Sequence, residues 1–89
     1  MKVGLIKNKV KKVEGFDVQI LDEEIQRPYR SDKLLDFNFD YKRAASAKLT
    51  VSQWSRQRMP ESTDILVLDG EGEPVHGRTT LNSVRQTYL

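Results

Sequence analysis

Cysteine is absent from the 89 residues, which removes disulfides, thiolate catalysis and cysteine-based zinc sites together. Histidine occurs once, at position 76. A metal centre on His76 would need a second nitrogen ligand, which only another copy of the chain could bring. No apolar run is long enough to cross a bilayer, and MKVGLIKNKVKKV carries lysines without the apolar core of a signal peptide. A cytoplasmic location with no membrane contact is the expectation. Glycine is scarce, and Gly70, Gly72 and Gly77 match neither a phosphate loop nor a dinucleotide fingerprint. Ser46, Ser52, Ser55 and Ser83 lie outside any nucleophile-elbow context. Carboxylates are present by composition alone. The expectation is therefore a non-catalytic chain with no catalytic residue, no metal and no small-molecule cofactor.

What is there makes one domain, 1–89. A chain this short buries only about 60–65% of the surface it exposes when unfolded, and hydrophobic residues make up 37% of it. A homodimer would cover apolar surface that the monomer cannot. Net charge is +2, but its sign alternates in blocks. Lys2, Lys7, Lys9, Lys11 and Lys12 precede the first acid, Glu14. Residues 13–41 are mainly acidic. Lys42, Arg43, Lys48, Arg56 and Arg58 follow with no acid among them, and Glu61, Asp64, Asp69, Glu71 and Glu73 then come without a base. Blocks of this kind pair with each other as readily as with a partner.

The best-specified stretch is 49–60, LTVSQWSRQRMP. Thr50 and Gln53 form a capping box, Leu49 and Trp54 have staple spacing, and Pro60 stops the helix; this predicts a helix over 51–58 with Trp54 as a core anchor. Val3 and Leu5 alternate with their neighbours, predicting a strand at 2–6 and a basic turn at 7–12. FDVQIL predicts a strand at 16–21. DILVL, uninterrupted and rich in β-formers, predicts a central strand at 64–69. A return arm at 74–77 would follow the turn 69–73, and a helix over 80–88 is predicted from Leu81, Val84 and Tyr88, capped by Thr79 or Thr80. Residues 32–45 fit two patterns: Phe37, Phe39 and Tyr41 alternate as in a strand, while Leu34, Phe37, Tyr41, Ala44 and Ala45 form a helical stripe. A turn of helix at 32–35 followed by an extended 37–41 is preferred. A shift of 47 residues aligns Asp17 with Asp64, Leu21 with Leu68, Leu34 with Leu81 and Tyr41 with Tyr88, a weak internal repeat of 14–42 and 61–89.

These elements predict an α+β fold. A mostly antiparallel sheet of four or five strands (2–6, 16–21, 64–69, 74–77, with 37–41) packs one face against two short helices. The expected core is Val3, Leu5, Val18, Ile20, Leu34, Phe37, Trp54, Ile65, Val67, Leu81 and Val84.

Two functional readings follow. The first is a small binding or regulatory protein that acts through a protein interface, as a homodimer, with Tyr29 and Tyr88 as contact residues. The second is a nucleic-acid binder using 42–58 and the N-terminal lysines. Small residues at 44, 45 and 47 before a capped helix resemble a helix-turn-helix reading element, and the 64–76 hairpin would be its wing. The binding residues would be Lys42, Arg43, Lys48, Gln53, Arg56, Gln57 and Arg58, with Gln53, Arg56, Gln57 and Arg58 on bases and phosphates and the lysines on phosphates only. The motif's turn glycine is missing and the wing is acidic. The phrase running from Leu49 through Trp54 to a Gln-Arg pair also resembles phage excisionases over barely a dozen residues, from which no fold or role follows. Asp69, Glu71 and Glu73 alternate as calcium ligands do, but the glycine and glutamate that an EF-hand loop requires are Pro74 and Thr80 here. A solvated hairpin turn is the simpler reading.

Overall fold

The N-terminal segment is a helix, not the predicted strand and turn. In the computed structural model, which describes residues 1–89, helix α1 runs Val3–Glu14. Val3, Ile6 and Val10 stand at i, i+3 and i+7 and are fully buried, while Leu5 faces outward, 49% exposed. The alternation of Val3 with Leu5 was two residues of a 3.6-residue period, and Ile6 and Val10 complete it. Gly15, in the left-handed conformation (φ 85°), ends the helix and donates its N–H to Lys11, an arrangement glycine adopts without a side-chain clash. No side chain caps the start of α1. Its first two N–H groups donate instead to the carbonyls of Lys33 and Ser31, both at 2.9 Å.

Strand β1 (Asp17–Leu21) and strand β2 (Asp64–Leu68) pair antiparallel, Asp17 facing Leu68 and Leu21 facing Asp64. The α+β class is as expected, but the sheet has two strands rather than four or five, and there are three helices rather than two. The predicted arm at 74–77 is reduced to a bridge between Pro74 and Leu68 and one bond from the Val75 N–H to the Val67 carbonyl, because proline has no N–H to extend the ladder. Residues 32–45 form neither helix nor paired strand. A single bridge joins Leu34 to Lys2, and the chain beyond is held by Phe39, which is fully buried. DILVL is not central: Ile65 and Leu66 are only half-buried, since nothing pairs along the full outer edge of β2.

Helices α2 (Val51–Arg58) and α3 (Leu81–Gln86) begin against each other. Val51 donates to Thr79 and Leu81 to Leu49; Ser52 donates to Gly77 and Asn82 to Ala47. Each helix therefore satisfies its first two orphan donors with the other's leading loop, around a bridge between Thr50 and Thr80. The third donors go to side chains, Gln53 N–H to Thr50 Oγ1 and Ser83 N–H to Thr80 Oγ1, both at 3.2 Å. The Gln53 side chain closes the capping box by accepting from the Thr50 N–H at 2.9 Å.

Trp54 lies at the centre of the core, fully buried, with Phe16 edge-on at 5.0 Å and Phe39 at 6.5 Å between ring centroids. Val3, Val18, Ile20, Val67, Leu81 and Val84 are buried as expected; Leu34 is 68% exposed, and Phe37 and Ile65 only border the core. Ile6, Val10, Phe16, Phe39, Val51 and Met59 fill the space assigned to them.

Tyr88 fastens the C-terminus to the sheet. Its hydroxyl accepts from the Asp17 N–H at 2.8 Å and donates to the Leu68 carbonyl at 2.6 Å, bridging the last facing pair of the ladder. Lys11 Nζ lies 3.8 Å from the ring centre. Burial raises the hydroxyl's pKa above its ordinary 10.0, reinforced by Asp17 and Asp69 and opposed by the Asp17 N–H. A raised folded-state value means this contribution to stability is whole below pH 10 and lost as pH climbs through the folded pKa. Tyr88→Phe should cost about 1–2 kcal/mol in urea melts at neutral pH, for two hydrogen bonds to backbone. It should also shrink the loss of stability above pH 10.

Candidate nucleic-acid interface

The residues of 42–58 do not share one surface. Arg58 is committed to the interior: its Nη1 donates to Glu14 Oε2 at 2.6 Å and to the Arg43 carbonyl at 2.7 Å. Gln53 is held in the capping box. Arg56 is exposed on a separate groove between α2 and β2, lined with Ser52, Ser55, Ile65 and Val75. Gln57 is exposed, and its carbonyl accepts from the Tyr41 hydroxyl at 3.4 Å. Lys48 is exposed in the turn before α2, where its N–H donates to Ser46 Oγ at 3.3 Å. No helix precedes α2 in the way a helix-turn-helix requires, since 22–50 contains none.

Lys42 and Arg43 remain exposed, and the fold brings Lys42 to the lysine face of α1. A groove of about 650 Å³ is lined by Lys9, Lys12, Val13, Phe39, Asp40, Tyr41 and Lys42. Lys9 is paired with Asp40 at 3.2 Å, whereas Lys12 and Lys42 have no carboxylate within ion-pair distance. The two basic blocks, 30 residues apart in sequence, meet here. Lys11, nearby, is engaged with Asp17 at 3.6 Å and with the Tyr88 ring.

Tyr41 forms one wall. It is the one exposed aromatic side chain of the protein, at 41%. The Arg58 guanidinium lies 4.2 Å from its ring centre and the Phe39 ring packs 5.1 Å away. Beneath them sits a buried charge cluster that the sequence did not announce. Glu14, 1% exposed, accepts from Arg58, from Arg85 Nη2 at 3.1 Å and from the Ala45 N–H at 2.9 Å. Arg85 also donates through Nε to the Glu14 carbonyl at 2.6 Å and through Nη1 to the Ala45 carbonyl at 3.0 Å. One carboxylate thus ties α1, α2, α3 and the 43–45 segment together, and of its two guanidiniums the one on Arg58 also meets Tyr41.

The two tyrosines expected as interface contacts are half-buried. Tyr88 is the sheet fastener described above. Tyr29 packs against the core, its N–H donating to the Ile20 carbonyl. Its hydroxyl pKa is raised, by burial first and then by Asp22, Glu23 and Glu24. A cavity of about 300 Å³ beside it is lined by Leu21, Leu35, Phe37, Pro60 and Thr63 and carries one charged side chain, Asp36. In the acidic turn, Asp69 Oδ1 accepts from the N–H groups of Glu71 and Glu73 at 2.8 and 3.0 Å, so that carboxylate is spent shaping the turn. His76 Nδ1 accepts from the Arg78 N–H at 3.1 Å. No three histidine, aspartate or glutamate side chains stand close enough to hold a metal ion, and no helix is long and apolar enough to cross a membrane.

No protein family, curated protein or solved structure matches the chain.

Proposed function

We propose that this is a small non-catalytic nucleic-acid-binding protein whose contact surface is the groove between α1 and residues 39–42. The carrying observation is that Lys12 and Lys42, from two separate basic blocks, flank one groove without carboxylate partners, beside an exposed tyrosine. Unpaired lysines on a concave surface attract phosphates and release counterions on binding. The helix-turn-helix arrangement is not the means, because no helix lies within 22–50, immediately before α2, and the first N–H groups of α2 are spent on the 77–79 loop.

The test is a titration of fluorescent duplex and single-stranded DNA at 50 and 200 mM salt. Two phosphate contacts predict a loss of affinity of about tenfold over that range. Lys12→Ala/Lys42→Ala should abolish most of the salt dependence, while Lys48→Ala/Arg56→Ala, away from the groove, should leave it intact. Absence of binding at low salt ends the reading.

A protein interface with self-association keeps one supporting observation. Leu5 and Leu34 are both exposed near the start of α1, where Lys2 pairs with Leu34. Monomeric sedimentation at high concentration rules that second reading out.

A further inference from the structure

Resting on the nucleic-acid reading, we infer that the groove takes an unpaired strand, with one base lying on Tyr41 and the adjoining phosphates on Lys12 and Lys42. Six of the seven aromatic side chains are buried or half-buried, as burial of apolar area dictates in a chain with little of it to spare. Tyr41 is the exception, and it is exposed without being free. Its hydroxyl reaches the Gln57 carbonyl, Phe39 packs beside the ring, and the Arg58 guanidinium lies over one face, which leaves only the opposite face to a base. Arg58 is in turn fixed by Glu14 and the Arg43 carbonyl. The ring is therefore ordered before any ligand arrives, so a stacking partner does not bear the cost of immobilising it.

A pre-ordered exposed ring beside unpaired lysines favours single strands over duplex. Bases in a duplex are stacked on one another and offer edges, whereas an unpaired base offers a face, and stacking on an aromatic side chain needs a face. Asp40, on the same groove, neutralises Lys9 at 3.2 Å, which leaves Lys12 and Lys42 as the lysines free to meet phosphate. Asp40 thereby also restrains affinity, and removing its charge releases Lys9.

The experiment measures anisotropy of a labelled twelve-nucleotide oligothymidylate and of a duplex of the same length, with native Trp54 fluorescence confirming that each variant is folded. Tyr41→Ala should weaken single-strand binding about 5- to 100-fold and leave duplex binding unchanged; Tyr41→Phe should retain it. Asp40→Asn should tighten single-strand binding and steepen the salt slope by about 0.7, one phosphate on a single strand. Equal affinity for duplex and single strand, an equal loss for both in Tyr41→Ala, or displacement by poly-glutamate as effective as by oligothymidylate each overturns the inference and leaves the basic groove as a general anion surface. Failure to bind either nucleic acid at low salt instead removes the reading beneath it.

Discussion

Glu14→Ala is expected to cost about 3 kcal/mol, the lower end of what breaking a buried ion pair from one side costs. The carboxylate is fully enclosed, but its partners are not: the Arg58 and Arg85 side chains keep 17% and 22% of their exposure. Both guanidiniums also hold backbone carbonyls that survive the substitution, so neither becomes an isolated charge in an apolar interior. The Ala45 N–H does lose its acceptor, and a cavity replaces the side chain where three helices converge. For a domain of this length, total stability is about 5–13 kcal/mol, so the loss is a large share of it, visible as a lower urea midpoint. Glu14→Gln should fall between the two proteins: it keeps an acceptor for Ala45 and fills the volume, but turns an amide donor towards one of the arginines. Arg85→Ala should cost more than Arg58→Ala. Arg85 donates to two carbonyls and a carboxylate oxygen on two segments, and Arg58 to one of each.

Replacing the whole cluster by methionine tests whether charge itself matters. Apolar substitutes for a buried ionic triad are often neutral or stabilising. Here that outcome is not expected, because the carbonyls of Glu14, Ala45 and Arg43 would each lose a donor, at about 1–3 kcal/mol for each one left buried. Stability equal to the parent would show that those carbonyls find water.

How much of this was legible depends on the range over which each signal acts. The helix α2 was legible because its determinants are local: Thr50, Gln53, Leu49, Trp54 and Pro60 fall within twelve residues. The strands β1 and β2 and the start of α3 were legible for the same reason. The helix α1 was misread, although Val3, Ile6 and Val10 repeat at helical spacing and Gly15 follows as a stop; the run of lysines and the alternation at 3–5 outweighed them. For 32–45 no local pattern decides, since the segment is fixed by tertiary bonds: the carbonyl at 33 and that of Ser31 just before it start α1, and the N-terminal ammonium donates to Leu35 and Phe37. Glu14 was beyond reach. It follows four lysines within seven residues, where a solvated carboxylate is the ordinary expectation, while its partners stand 44 and 71 positions away. The groove was legible only in halves. Two basic blocks were visible, but their meeting depends on α1 being a helix that presents Lys9 and Lys12 on the side where Lys42 arrives.

Trp54→Ala carries the largest expected effect, about 3–5 kcal/mol for an aromatic removed from a packed core. The indole touches two segments distant from it in the chain, Phe16 just before β1 and the Phe39 loop, and anchors α2 against them. Neither neighbour can collapse into the space without leaving a ring contact, so little of the cavity should close. Trp54→Phe separates packing from polarity. The Trp54 Nε1 is buried with no hydrogen-bond partner from the protein, and a donor left without one costs about 1–3 kcal/mol. Phenylalanine removes that cost while giving up the larger ring's contacts, so its net effect should be less than half that of alanine. As the sole tryptophan, the same side chain reports the transition in the parent: a native emission shifted to short wavelength that moves to the red as urea unfolds the core. Far-ultraviolet dichroism gives the corresponding midpoint for the two variants that lack it. A Trp54→Ala midpoint within error of Trp54→Phe would mean that the core closes around the vacancy and that α2 is held by its capped start and by Arg58 rather than by the indole.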